Sequence, residues 1–457
     1  MSDLLRPGQR VHVIGCAGAG MSALTRYLID TGCIVSGCDA SGHDELARLA
    51  REGATTYDSH SATHVDDVDV VTASAAVGAT HVELVAARRR GVKVLARTDV
   101  LGELSLSTSI VAFAGTHGKT TTTSMAARIW RAAGRDPSWL VGTPIAGLGP
   151  NGRGGRDPEL LLEADESYGA FARLEPVALG LLNVESDHLD HYGDLDTLQR
   201  AFVGLVDRTR AHVSLWGDDE GAARVASMSP RSLRGVGRGP RAAVRVLGEQ
   251  FSLSGSRFTL RAPEGQVEIA LRVPGALNVA NAAMAASVAL SCGVALEDVA
   301  AGLLDFRGAP RRFDIVERLG ATTIVDDYAH LPGEVSATIE AARSMGFERV
   351  AAVFQPHRVS RTAALASSFA GAFAGVEDLV VTDIYRSGEP NPTGLTGEVV
   401  ANAVAAGPGA PRVSYAANWN DAATHLAAQV GDVDCILVLG AGDVGRIVPM
   451  IVKLVRT

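Results

Sequence analysis

IVAFAGTHGKTTTT, Ile110 to Thr123, decides the fold. Its first five residues, Ile110 to Ala114, have the length and apolar character of a buried parallel strand. They run directly into Gly115-Thr116-His117-Gly118-Lys119-Thr120-Thr121, and Thr122 to Ala132 then follow a helical period. Strand, glycine turn and helix in that order make a phosphate loop. Glycines let backbone N–H groups close on phosphate oxygens, and the helix N-terminus adds partial positive charge. Lys119 is then placed to neutralise β- and γ-phosphates, and the Thr120 hydroxyl to sit on magnesium. The loop is shorter than a full Walker A, whose first glycine would fall at Phe113.

Downstream, the run Leu160-Leu161-Leu162 ends in Glu163-Ala164-Asp165-Glu166. A carboxylate at the C-terminal end of a strand is where α/β sheets place metal ligands. A further strand, Val177 to Val184, leads into NVESDHLDHYGD, which puts His188 near the same magnesium-nucleotide loop. The Gly/Arg/Pro-rich stretch Pro230 to Arg241 reads as a surface loop. The apolar run Ala282 to Leu296 is too short to span a bilayer and reads as a buried helix.

Upstream, the strand VHVIG (Val11 to Gly15) opens through Gly15-Cys16-Ala17-Gly18-Ala19-Gly20 into a helix near Met21 to Thr31. Such a turn can bind a diphosphate. Further strands end at Asp39 and Ser74, and ELSLSTS (Glu103 to Ser109) reads as a polar link. Asp39 stands where dinucleotide folds keep a ribose-binding acid, so an NAD-linked oxidoreductase is the rival from another class. The spacing GxxGxG is not GxGxxG, however, and that rival leaves Lys119 and Glu163 without a role. A non-catalytic nucleotide-binding module is a third reading, opposed by Glu163 and His188. After Arg311-Arg312, a third series of strands follows: ATTIVDD, RVAAVFQ, DLVVTDI and CILVLG. The expectation is an α/β protein of three domains: Rossmann-like over 1–108, a P-loop-type ATPase over 109–312, and Rossmann-like over 313–457.

Composition narrows the partners. The 457 residues carry a net charge of −9, which argues against nucleic acid or an anionic membrane surface. Five scattered cysteines without CxxC spacing suit a reducing compartment and give no recognisable zinc knuckle. The N-terminus has no signal-type apolar stretch, so a cytoplasmic protein is expected. Of 42 basic residues, only Lys93, Lys119 and Lys453 are lysines.

The ordered set of motifs resembles the Mur ligase family across essentially the whole chain. GTHGKTTTT (Gly115 to Thr123), EADES (Glu163 to Ser167) and DHLDHYGD (Asp187 to Asp194) are similar to its central domain. PGALNVANAAMA (Pro274 to Ala285), RRFD (Arg311 to Asp314), DDYAH (Asp326 to His330) and QPHRVSRT (Gln355 to Thr362) continue the match in order. GCAGAGMSAL (Gly15 to Leu24) and SGCDA (Ser36 to Ala40) look like the alanine-adding members. The resemblance implies ATP-dependent joining of L-alanine to the carboxylate of UDP-N-acetylmuramate, through an acyl phosphate, in peptidoglycan precursor synthesis. Members that recycle muramyl peptides onto the same sugar are the alternative within the family.

Carried over by residue, the resemblance implies that Gly115 to Thr121 bind the ATP phosphates, with Asn278 and Asn281 near the adenine. Arg311 and Arg312 would meet phosphate or substrate carboxylate. Thr120 and Glu163 would hold one magnesium and His188 a second. Gly15, Gly18, Gly20, Met21, Ser22, Asp39 and Ser74 would hold the UDP of the sugar. Tyr328, His330, His357, Arg358 and Arg361 would lie on the amino-acid and muramate side, with His330 a candidate base. The chain would act as a monomer or homodimer. It departs from the family in having Leu277 and Leu331 where histidines are usual. Several relatives also supply oxygens near the second magnesium from a carbamylated lysine, and LDTLQRAFVGLVDRTR (Leu195 to Arg210) holds none.

Overall fold

The structure, a computed structural model, describes residues 5–187 and 189–456. They form two compact units, one of Met1–Gln250 with Gly255–Ala309, the other of Pro310–Thr457 with Phe251–Ser254. Three sheets carry the α/β architecture expected from the strand–helix alternation.

The first unit holds two of the sheets. One has five parallel strands in the order Thr55–Tyr57, Ile34–Cys38, Arg10–Ile14, Val70–Ala73, Lys93–Ala96. Its order reverses beside Arg10–Ile14, and open α/β sheets bind ligands at such a point, beyond the strand C-termini. In the other, ten-stranded sheet, Ser109–Ala114 lies between Ala178–Leu181 and Glu159–Ala164, all parallel. The second unit has a six-stranded sheet, parallel except where Asp314–Leu319 pairs with Thr322–Asp327.

Within the first unit, helix Ala19–Asp30 packs on strands Ser138–Leu140 and Gly152–Arg153. Arg26 Nη1 donates to Asn151 Oδ1 at 2.6 Å, and Asn151 Nδ2 to the Ala19 carbonyl at 2.8 Å. A Cβ added to Gly152 would stand 1.9 Å from the Ala23 carbonyl oxygen, so only glycine allows this approach. One apolar cluster, including Leu24, Leu101, Leu140 and Leu162, runs through both sheets' territory.

Two segments differ from their sequence reading. Of the stretch read as a polar link, Thr108 is extended and Ser109 opens the next strand, but Glu103 to Ser107 end the helix Arg97–Ser107. Its serines bond back to the helix: Ser105 Oγ donates to the Leu101 carbonyl at 2.9 Å, while Val100, Leu101 and Leu104 are buried. Strand Arg234–Gly237 lies inside the stretch read as a loop, pairing with Ser214–Trp216 and anchored by fully buried Val236. A single apolar residue among glycines and arginines is too weak a signal of period two.

Candidate functional site

Strand Ser109–Ala114 delivers the phosphate loop, and helix Lys119–Ala132 leaves it. Gly115 (φ 136°) and Gly118 (φ 83°) take left-handed conformations that favour glycine. Neither has room for a Cβ, which would lie 2.9 Å from the Asn183 backbone or 2.4 Å from Asn281 Oδ1. Asn281 thus reaches the loop, whereas Asn278 Nδ2 turns back to the Pro274 carbonyl at 2.8 Å. Gly118 offers no side-chain cap to the helix, so its first N–H groups remain for an anion or solvent.

The loop is held by the segment after strand Ala178–Leu181. The Asn183 carboxamide closes a pair with His117: His117 N donates to Oδ1 at 2.7 Å, and Nδ2 donates to the His117 carbonyl at 3.1 Å. Thr116 Oγ1 accepts from Glu185 N at 2.8 Å. Asn183 opens the run NVESDHLDHYGD, yet nothing in its spacing marks it as the loop's clamp.

Lys119 Nζ donates to the Gly115 carbonyl at 2.7 Å, to the Thr116 carbonyl at 3.2 Å, and to Glu166 Oε2 at 2.7 Å. Burial works against its charge, but the carboxylates of Glu166, Asp165 and Glu163 raise its pKa above the usual lysine value. Burial pushes the Glu166 carboxyl up to about 7, with Lys119 pulling the other way. Thr120 Oγ1 donates to Glu163 Oε1 at 2.9 Å, while Oε2 accepts from Gly142 N at 2.7 Å. Hydroxyl and carboxylate side by side form a hard oxygen pair suited to magnesium. Thr121 is buried behind them. His188 lies outside the described residues.

The first sheet brings together a second glycine turn. Gly15 (φ 77°) and Cys16 both donate N–H groups to the Cys38 carbonyl, at 2.8 and 3.2 Å. Asp39 accepts from Ala17 N at 3.1 Å and from Ser41 N and Oγ at 3.0 Å each. Its carboxylate therefore ties its own turn, which weakens a dinucleotide-ribose role. Ser74 lines the turn, its Cβ 3.1 Å from where a Gly15 Cβ would lie. Gly18 caps helix Ala19–Asp30 without a side-chain bond. Met21 and Ser22 are buried: Met21 joins the core, and Ser22 Oγ accepts from Asn151 Nδ2 at 3.0 Å. Their side chains are spent on packing, leaving only backbone for a ligand. Sequence reading missed Arg97, whose Nη1 would stand 2.4 Å from a Gly20 Cβ, a guanidinium over the helix N-terminus.

In the second unit, Arg311 and Arg312 place their guanidinium carbons 5.2 and 4.9 Å from the Tyr328 ring centroid. Arg311 Nη1 also donates to the Gly442 carbonyl at 2.9 Å, and Nη2 to that of Gly440, so this arginine is largely occupied within its own unit. Arg311 (φ 59°) and Arg358 (φ 67°) hold left-handed backbone unusual for side-chain-bearing residues. Tyr328, His330 and His357 meet edge to face in sequence, with ring centroids 5.5 and 5.7 Å apart. His330 Nδ1 faces the Tyr328 carbonyl at 3.1 Å and Glu334 Oε2 at 3.0 Å. Arg361 Nη1 lies 3.3 Å from His357 Nδ1, and Arg358 Nε donates to Glu389 at 2.6 Å. Burial, then the charges of His330, Arg361 and Arg358, push His357 down to about 3, so it is neutral at pH 7. Leu331 is buried and Leu277 exposed.

Three stretches match family descriptions: residues 10–108 the Mur ligase family catalytic domain, 113–289 the Mur ligase middle domain, and 311–442 the Mur ligase glutamate ligase domain. The UDP-N-acetylmuramate–L-alanine ligase of Acidothermus cellulolyticus is 40% identical, over 98% of this chain and 95% of that one. That of Kineococcus radiotolerans is 41% identical, over 97% and 96%. Among solved structures, the UDP-N-acetylmuramate-alanine ligase of Thermotoga maritima superposes with a TM-score of 0.79 at 26% identity, covering 98% of this chain and 99% of that one.

Proposed function

The chain belongs to the Mur ligase family, and on that premise we propose that it joins L-alanine to the carboxylate of UDP-N-acetylmuramate with cleavage of ATP to ADP and phosphate. One observation carries the reading: a single compact unit holds two glycine turns of different chemistry. The turn at Gly115 has a lysine and a Thr120–Glu163 oxygen pair, the equipment for phosphoryl transfer. The turn at Gly15 has neither, only backbone, a helix N-terminus and Arg97, the equipment for holding a diphosphate without cleaving it. ATP and a UDP sugar divide between them on these terms.

A carboxylate must be activated before an amine can displace oxygen from it. A muramate carboxylate oxygen attacks the γ-phosphorus, the bond to the β-phosphate oxygen breaks, and ADP leaves an acyl phosphate. The alanine nitrogen then attacks the acyl carbon, the carbon–oxygen bond to phosphate breaks, and the amine loses a proton. Lys119 and the helix N-terminus offset charge on the transferring group. Thr120 and Glu163 would hold magnesium, with His188 proposed for a second ion; magnesium there supplies further charge neutralisation. His330 is proposed as the base. Both neighbours of Nδ1 are acceptors, so in the neutral ring the proton sits there and the lone pair is on Nε2, the form able to take the amine proton. Such an enzyme works where ATP is made, in the cytoplasm.

The deciding experiment follows phosphate release from ATP with UDP-N-acetylmuramate present, with and without each amino acid. Release should depend on both the sugar and L-alanine, with glycine and L-serine slower, since one methyl or hydroxyl is worth only about 1–3 kcal/mol in a small pocket. Faster turnover with a muramyl tripeptide than with L-alanine would move the chain to peptide recycling.

A further inference from the structure

We propose that His12, Cys38, His64 and Glu83 form a structural zinc(II) site in the first domain, behind the glycine turn. The four come from strand Arg10–Ile14, strand Ile34–Cys38, the turn Ala62–Val65 and helix Val82–Arg89. One ligand atom from each lies within 4.8 Å of all the others. His12, Cys38 and Glu83 are fully buried.

The donors converge closely enough for one small cation to enter with small side-chain shifts. Cys38 Sγ lies 2.9 Å from Glu83 Oε2, His12 Nε2 lies 3.5 Å from the same oxygen, and His64 Nδ1 lies 2.7 Å from Oε1. Donor atoms of a tetrahedral zinc site stand roughly 3–4 Å apart, as bond lengths of about 2.0–2.3 Å require, so the His12 contact already has that span and the two shorter contacts would open on binding. An imidazole, thiol and carboxylate set selects zinc-like ions over magnesium, which prefers oxygen alone.

Two features point to a cation here. His12 Nε2 is buried and faces Glu83 Oε2 at 3.5 Å, the outer limit of hydrogen-bond reach. His12 Nδ1 is engaged by Ser36 Oγ at 2.8 Å, the outer contact that fixes a metal-ligating histidine. Glu83, moreover, is a fully buried carboxylate that accepts from Ser61 N at 3.1 Å and faces the imidazoles of His12, His60, His64 and His81, with no lysine or arginine within ion-pair distance of it among the described residues. Of twelve histidines in the chain, four converge on it. Tyr57 stacks on His64 at 3.8 Å and sets its plane. His60 and His81 sit at the rim with side chains 30% and 17% exposed, which gives a metal a way in. The Cys38 thiol donates to Glu83, so zinc binding would release that proton to solvent. Four protein ligands leave no open position, hence a structural role. The Cys38 carbonyl holds Gly15 and Cys16, so the metal would stiffen the glycine turn.

The test uses the full chain, stripped with chelator and titrated with cobalt(II) as a spectroscopic stand-in for zinc. One equivalent should give a thiolate-to-cobalt charge-transfer band, which one equivalent of zinc(II) removes. The band should vanish in Cys38→Ala, and His12→Gln should bind cobalt roughly tenfold or more weakly. Cobalt held at the Thr120–Glu163 oxygens gives no such band. Absence of the band in the wild-type chain, or its persistence in Cys38→Ala, overturns the proposal. If the variants do not fold, X-ray absorption on the wild-type zinc-loaded chain decides: one sulfur among nitrogen and oxygen neighbours supports the site, and a shell without sulfur refutes it.

Discussion

The Glu166 carboxylate holds the Lys119 ammonium at 2.7 Å, from a side chain that is 1% exposed. The same ammonium bonds two carbonyls of its own loop, so bound phosphates would compete with Glu166 for it. Lys119→Ala should fold normally yet turn over at least about a hundredfold more slowly, the usual effect of losing a preorganised transition-state charge. Circular dichroism and steady-state kinetics check this together. A folded variant with near wild-type amide synthesis would remove Lys119 from the mechanism.

Gly118 has φ 83°, and a Cβ there would stand 2.4 Å from Asn281 Oδ1. Gly118→Ala should cost about 1 kcal/mol in stability and raise the KM for ATP steeply, because the loop must shift to admit the methyl. Trimming the obstacle in Gly118→Ala/Asn281→Ala should recover part of the stability and little of the affinity. Unchanged ATP binding in the single variant would contradict the loop's role.

Arg97 over the N-terminus of helix Ala19–Asp30 predicts a selective defect. Arg97→Ala should raise the KM for UDP-N-acetylmuramate roughly tenfold or more, as for a lost charge-assisted hydrogen bond of about 1.5–3 kcal/mol, and leave the KM for ATP alone. Equal changes in both constants would point to general damage instead.

His357 gives a pH prediction with a definite sign. Its pKa is near 3 in the fold against an ordinary 6.5. Between those values the unfolded chain binds a proton that the folded one refuses. The stabilisation is therefore full above about pH 6.5 and is lost as pH falls toward 3, at no more than about 1.4 kcal/mol per pH unit. Urea titrations from pH 7 to 4 should show a shallower acid loss for His357→Phe than for the wild type. Parallel curves would mean that His357 protonates freely in the fold.

Lys119 is the single lysine between Lys93 and Lys453, and three contacts occupy its ammonium. Arginine stays protonated and cannot take up CO₂. Activity should thus be indifferent to bicarbonate while depending on magnesium through Glu163, so Glu163→Gln should need more magnesium for half-maximal rate. Bicarbonate rescue of a CO₂-depleted enzyme would show that a carbamate is present after all.

Much of this was legible in the sequence where strand, glycine turn and helix are contiguous, as at Ile110 to Ala132 and Val11 to Thr31. Local period and turn chemistry carry that information. Arg97 escaped because it opens a helix whose serines, satisfied by their own backbone, look like a linker. Asn183 and Glu166 escaped because their roles come from parallel pairing across Ser109–Ala114, which brings residues from separate strands to one loop. Met21 and Ser22 lie beside the glycines in sequence, but a helix turns successive side chains by about 100°, here into the core. The His12, Cys38, His64 and Glu83 cluster has no spacing signature, since four separate elements supply one ligand each.

The junction of helix Ala19–Asp30 with Asn151 and Gly152 has a consequence for substrate choice. With Arg26 bonded to Asn151 and no space at Gly152 for even a methyl group, the two glycine turns ride on one stiff frame. Their spacing is a ruler. On the proposed assignment of the turns, a nucleotide sugar anchored by its diphosphate at one end would have to present its carboxylate at a set distance. Analogues lengthened or shortened by one bond between those groups should bind yet fail to react, refused by architecture rather than by any contact at the point of change.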